Sequence, residues 1–261
     1  MHKSLLSLAM LSALGASSVA MAADAPASPH TVTGNASLVS DYRFRGISQT
    51  FKLPAFQGGF DYAHASGFYA GNWNSNVSGN SYANGAGLEM DFYGGFKTEV
   101  AGIGLDIGTL YYYYPGAEYT GTSEKYDNHE IYIGASYGPV SAKVSYALSD
   151  YFGLSDKSVG GTLGDSKGTT YVELNFSKEV MPKLTLSAHV GMTKYENYKD
   201  FDYTDYKIGV GYDVGGYVFG LAYVGNSMKE TAGEGFNTVT ANGTTEKLYK
   251  GGAVLSVAKT F

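Results

Sequence analysis

Residues Gly87 to Lys97 read GLEMDFYGGFK, and they alternate. Leu88, Met90, Phe92 and Phe96 fall on one side of an extended chain, and Glu89, Asp91, Tyr93 and Lys97 on the other, because successive side chains of a strand point to opposite faces. The stretch is a strand with one apolar and one charged face. The fold turns on which face looks inward.

The same period of two recurs along the chain. Ile103, Leu105, Ile107, Tyr111 and Tyr113 oppose Gly104, Asp106 and Gly108. Val140, Ala142, Val144, Tyr146 and Leu148 oppose Ser141, Lys143, Ser145 and Ser149. Val172, Leu174 and Phe176 oppose Tyr171, Glu173 and Asn175, and Leu184, Leu186, Val190 and Met192 oppose Thr185, Ser187, His189 and Thr193. Tyr206, Ile208, Val210 and Tyr212 oppose Asp205, Lys207, Gly209 and Gly211. Further segments run near Thr33 to Ile47, Ala55 to His64, Phe68 to Val77, Asn128 to Tyr137, Gly216 to Asn226 and Tyr249 to Phe261. About twelve segments of about ten residues each fit strands that cross a bilayer at a tilt.

Connections alternate between short (HASG, TEVAG, GP, KEVMPK, DVGG) and long and polar, the longest being YFGLSDKSVGGTLGDSKG and SMKETAGEGFNTVTANGTTE. Short turns at one end, long loops at the other and an even strand number describe an outer-membrane barrel, with both termini on the periplasmic side. A soluble barrel or sandwich would alternate too, with its apolar face inward. Three features decide against it. The polar faces carry too many charges and glycines to fill a dry core. Tyrosines crowd strand ends (Tyr111 to Tyr114, Tyr151, Tyr195, Tyr198), where interfacial girdles sit. The ending GGAVLSVAKTF, with Ala253, Leu255 and Val257 alternating before Phe261, resembles the C-terminal signal by which assembly machinery recognises outer-membrane proteins.

The composition agrees. Among 261 residues are 24 Tyr and 36 Gly but only 6 Pro, and 16% are charged, which suits a sheet protein with tight turns and boundary rings. The start has a basic His2-Lys3, an apolar run from Leu5 to about Ala16 and a small-residue site at Ala20-Met21-Ala22. That order is a secretory signal of residues 1–22 cut after Ala22, leaving a short periplasmic segment at 23–31 and a barrel at 32–261. Removing Lys3 takes 18 basic residues to 17 against 24 acidic ones, a net charge of −7 that disfavours a nucleic-acid partner. The absence of cysteine excludes disulfides, a thiol nucleophile and thiolate metal sites.

The chain's only two arginines, Arg43 and Arg45, alternate with aromatics in SDYRFRGIS, Ser40 to Ser48. As a wall strand, this stretch puts Asp41, Arg43 and Arg45 into the lumen and Tyr42 and Phe44 into lipid, since an arginine near the bilayer centre costs roughly 2–4 kcal/mol. The pair then either attracts carboxylates and phosphates at a constriction or braces the wall against Asp41, Asp61, Glu89, Asp91 or Glu173. The expected pore-lining set is Asp41, Arg43, Arg45, Asp61, Glu89, Asp91, Asp106, Lys143, Glu173 and Lys207. Asn72, Asn74 and Asn76 read as a wettable wall. Gly104, Gly108, Gly209 and Gly211, with Ser256 and Ala258, leave room for a passage, although the long fourth and sixth outer loops could fold inward and close it.

Rival chemistries are weak. His189 and Ser187 share a lumenal phase, and His129 has no evident serine partner, so a lipase-type triad is disfavoured. GGTLGDSKGTT lacks the Gly-Lys-Ser/Thr order of a phosphate loop. DNHE and KDFDYTD lack the ligand spacing of a known calcium loop, so neither a metal nor a cofactor is expected.

The run from GNASLVSDYRFRGISQT through PAFQGGFDYAHASGFYAGNWNSNVS resembles TorF, a proteobacterial family of porin-type proteins also described as Gcw-type conserved hypothetical proteins. Tyr42, Arg43, Arg45, Gly46, Gln49, Pro54, Gln57, Gly58, Asp61, Tyr62, Gly67, Tyr69, Gly71 and Trp73 carry the likeness, which returns in YYYYPG and LSVAKTF. The resemblance implies an outer-membrane location and a channel role, and it carries over no catalytic residue. The expectation is an all-β, up-and-down transmembrane barrel that passes small hydrophilic solutes or ions. It would be a monomer in contact with lipid and lipopolysaccharide. A closed structural or adhesive barrel is the alternative.

Overall fold

In a computed structural model, residues 28–80 and 85–261 are described, so the expected signal segment with Ala20 and Ala22 lies outside them. Twelve strands form the wall: β1 (His30–Val39), β4 (Ala55–His64), β5 (Phe68–Asn76), β6 (Leu88–Val100), β7 (Ile103–Tyr113), β8 (Asn128–Tyr137), β9 (Val140–Ala147), β10 (Thr170–Met181), β11 (Leu184–Lys194), β12 (Tyr203–Val214), β13 (Tyr217–Asn226) and β16 (Gly252–Thr260). Two small hairpins lie outside the wall, β2 (Arg43–Phe44) with β3 (Ile47–Ser48), and β14 (Thr238–Ala241) with β15 (Thr244–Lys247). Short helices α1 (Asp156–Val159) and α2 (Glu230–Phe236) sit in the fourth and sixth long loops.

Each wall strand pairs antiparallel with its neighbours in the chain, and β1 closes the ring on β16 through Asn35↔Thr260 to Val39↔Ser256. Beyond the last pair, Gly34 and Phe261 exchange both backbone hydrogen bonds (2.7 and 2.9 Å), and the Phe261 ring lies over Gly34 on the outer surface. Closure leaves no strand edge with unpaired backbone groups, which is what permits a sheet to stand in lipid.

The two faces are inverted relative to a soluble barrel. Phe60, Ile107, Ile133, Ile208 and Leu255 are all about 60% exposed on the outside, whereas Glu89, Asp91, Glu130 and Asp205 are at most 2% exposed within. Outward tyrosines mark both ends of this belt. Tyr111, Tyr113, Tyr146, Tyr206 and Tyr223 lie toward the long loops, and Tyr62, Tyr137, Tyr212 and Tyr217 toward the short turns. The expected girdle needs correction, because Tyr112, Tyr114 and Tyr151 are buried and pack inside, and Tyr198 is buried between long loops with its hydroxyl on the Gly164 carbonyl.

Two more expectations fail on the structure. The first wall strand stops at Val39, so the stretch expected to continue to Ile47 is not wall at all. Asn72, Asn74 and Asn76 face outward. Register fixes this phase: Trp73 pairs with Gly59 and Asp91 on the inner face, Asn72 with Phe60 and Phe92 on the outer. Gly59 is what lets the Trp73 backbone approach, since a Cβ there would collide with the Asn72 carbonyl. The outward amides attach to the sheet itself: Asn72 donates to the Asp91 carbonyl (3.0 Å), Asn74 to the Gly58 carbonyl (3.3 Å) and to Asn72 Oδ1 (2.6 Å).

The inverted faces give a direct test. Ile107→Arg should lower unfolding stability by about 2–4 kcal/mol, the cost of a cation on the lipid face near mid-bilayer, measured by denaturant unfolding from phospholipid vesicles. An unchanged stability would mean that this face does not meet lipid.

Candidate functional site

The segment between β1 and β4 turns into the barrel mouth. Its β2–β3 hairpin reverses at Arg45-Gly46, both in the left-handed region (φ 45° and 82°), the backbone of a two-residue primed turn. A side chain on Gly46 would press against the Gly225 carbonyl at 2.9 Å. Arginine at positive φ is unusual and stores strain that surrounding contacts must hold.

Asp41 organises this loop. Its Oδ1 accepts from Ser48 Oγ (2.6 Å) and Thr50 Oγ1 (3.3 Å), and its Oδ2 from Arg43 Nε (2.7 Å). Arg43 Nη1 reaches on to the Lys250 carbonyl (2.8 Å), tying the first long loop to the sixth. Tyr42 donates to Glu89 Oε1 (2.9 Å) and meets Trp73 edge to face. Phe44 packs against Tyr112 and Phe152. Tyr42 and Phe44 thus point into the barrel, not into lipid as a wall strand would require. The apolar ring faces satisfy one another inside instead.

Arg45 is the tip. Its guanidinium forks onto Glu130 (Nη1–Oε1 3.0 Å, Nη2–Oε2 2.9 Å), donates to the Tyr151 hydroxyl, and lies 3.9 Å over the Tyr171 ring. Asn128 Nδ2 donates to the same Glu130 Oε1 (3.1 Å). A planar fork on a carboxylate combined with a face on an aromatic ring is a role lysine cannot fill. Glu130 was not in the expected set. It could have been found: it is two positions from Tyr132 and opposes the outward Ile131 and Ile133, so the period of two places it inside.

The remaining expected residues line the interior at other levels. Asp61 accepts from Tyr93 (2.6 Å) and Asn35 (3.3 Å); Asp106 accepts from Tyr69 (2.7 Å) and faces Lys97 at 3.9 Å; Lys143 pairs with Glu173 at 3.2 Å. Lys207 lies opposite His189 across the β11–β12 ladder. His189 itself contacts Asn175 (2.6 Å), Asp205 (2.8 Å) and Tyr171 (3.0 Å), while Ser187 donates to the Gly209 carbonyl, so the two are not aligned for nucleophilic attack. Among the described residues, no three His, Asp or Glu side chains are grouped as a metal site would need.

The interior is driest at the hairpin. The side chains of Lys97, Asp106, Lys143 and Glu173 keep 17–28% of their surface exposed, whereas those of Arg45 and Glu130 keep 6% and 3%. The fourth long loop completes the closure, since Tyr151 and Phe152 meet each other, Tyr151 meets Arg45 and Phe152 meets Phe44. Above the hairpin an open cleft of about 170 Å³ is lined by rings including Phe44, Tyr119, Tyr126, Tyr151 and Tyr195.

Removing one partner of a dry ion pair strands the other. Arg45→Ala should therefore cost about 3–5 kcal/mol, and Arg45→Met with Glu130→Leu should recover most of the loss, both measured by denaturant unfolding. Equal losses in the two variants would show that the pair is not the cause.

Among solved structures, the chain is similar in fold to the KdgM porin (7% identical over 88% of this chain and 98% of that one, TM-score 0.48). It is similar too to the NanC porin (8%, 88% and 99%, 0.47) and to an outer membrane channel from Pseudomonas putida F1 (12%, 91% and 97%, 0.45). No curated protein matches it. The model of the family described as bacterial protein of unknown function (Gcw_chp) matches residues 23–261, and the chain belongs to that family.

Proposed function

We propose that this protein is a channel of the bacterial outer membrane for small hydrophilic solutes or ions, narrowed at its outer end by the Arg45 hairpin. The observation that carries the reading is the graded interior. The wall encloses a polar lumen that is part-exposed below the hairpin and is filled toward the long loops by that hairpin packed against wall side chains such as Tyr112 and Tyr171. A loop held by hydrogen bonds, ion pairs and ring contacts can leave without breaking the sheet. Lipid, lipopolysaccharide and the assembly machinery, reached through the strand ending at Phe261, are the partners this reading implies.

With Arg43 compensated by Asp41 and Arg45 by Glu130, selectivity falls to whichever charge the hairpin uncovers. In planar-bilayer recordings of the refolded chain, Arg45→Ala should conduct more steadily than the wild type. Its selectivity should shift toward cations, because Glu130 loses its counter-charge. A folded barrel silent both as wild type and as Arg45→Ala would overturn the channel and favour a closed structural or adhesive barrel.

A further inference from the structure

Glu89 and Asp91 stand two apart on the inner face of β6, about 7 Å between Cα atoms, and both are 0% exposed. Glu89 Oε1 takes the Tyr42 hydroxyl, and Tyr114 hydrogen-bonds the same carboxylate. Glu89 Oε2 and both oxygens of Asp91, all inaccessible, accept from no described residue. Nor does either carboxylate form an ion pair among the described residues, since the guanidiniums nearby in the barrel mouth are taken, Arg43 by Asp41 and Arg45 by Glu130. Two ionised carboxylates enclosed without counter-charge are among the most costly arrangements a protein interior can hold.

We propose that Glu89 and Asp91 hold one hard divalent cation of the calcium type inside the barrel. Three oxygens with free lone pairs, carried by two carboxylates on one strand face, match the ligand preference of such an ion. One double positive charge neutralises both acids at once, where a monovalent ion would leave one uncompensated. No third acid joins the pair, so water completes the coordination, as calcium commonly allows. The ion would also couple to the hairpin, because Glu89 anchors Tyr42. This site stands independently of the channel reading.

Trp73, the single tryptophan, pairs directly with Asp91 across β5 and β6, and Tyr112 flanks Asp91 on the other side. The site therefore has a built-in donor for terbium luminescence. In the refolded full chain, tryptophan excitation should sensitise Tb³⁺ emission that Ca²⁺ displaces, and Ca²⁺ should raise the melting temperature relative to chelator. Asp91→Asn and Glu89→Gln should each weaken both responses by about tenfold or more, while Glu179→Gln, at the β10–β11 turn, should leave them intact. Unchanged emission in Asp91→Asn and Glu89→Gln would overturn the assignment. So would a folded wild type that shows neither emission nor a calcium-dependent melt, which would leave the acids protonated. Should one of these two variants fail to fold, the other decides alone.

Discussion

Everything in this chain follows from the requirement that no backbone amide or carbonyl meets lipid without a partner. A sheet meets it only by closing on itself, and here the ring closes through β1 and β16, with Gly34 and Phe261 extending the ladder by one residue. Once the ring is closed, the outside must be apolar and the inside must take every charge. The inversion of faces is a consequence of closure in that solvent, as is the ladder of tyrosines at the two ends of the belt.

The interior then has the opposite problem from a soluble core. It must accommodate acids and cations in a space too narrow to hydrate them fully, and it does so unevenly. Below the hairpin, Lys97 pairs with Asp106 near the short turns and Lys143 with Glu173 farther up, all part-exposed. Toward the loops, the hairpin brings Arg45 to the wall acid Glu130, carries its own Arg43–Asp41 pair in with it, and sheathes Arg45 in rings. The strained turn at Arg45 is tolerated because the fork on Glu130 and the face of Tyr171 hold it in place. Outer loops are usually the variable part of a barrel; here one is as much interior as the wall.

The period of two made the wall legible almost strand by strand, including the exact limits Ala55–His64 and Asn128–Tyr137, and it placed Asp61, Asp106, Lys143 and Glu173 inside. It misled where alternation had another origin. Asp41, Arg43 and Arg45 alternate with Tyr42 and Phe44 because the loop is itself a small hairpin, so the pattern runs past the point where the wall ends. Gly46 was the available sign of a turn. In β5, the rule that polar residues face the lumen chose the wrong phase, since Trp73 needed the inner space opposite Gly59 and left the asparagines outside. Pairings across the lumen, such as Arg45 with Glu130, depend on how loops return into the barrel, which no local period encodes.

The asparagines on β5 make the barrel lopsided. On β11 the outward positions are Leu184, Leu186, Ala188, Val190 and Met192, five apolar side chains in succession, whereas on β5 only Phe68 and Ala70 precede Asn72, Asn74 and Asn76. Along β5 itself the apolar run is therefore less than half as long as along β11, but β4 and β6 flank the asparagines with Phe56, Phe60, Leu88 and Phe92, so the belt keeps its height and carries a narrow polar notch. Lipids beside β5 therefore meet amides bordered by apolar side chains, whereas those beside β11 meet an unbroken apolar strand. The wall thus carries a polar mark on one strand, fixed in place before any loop or ligand is involved.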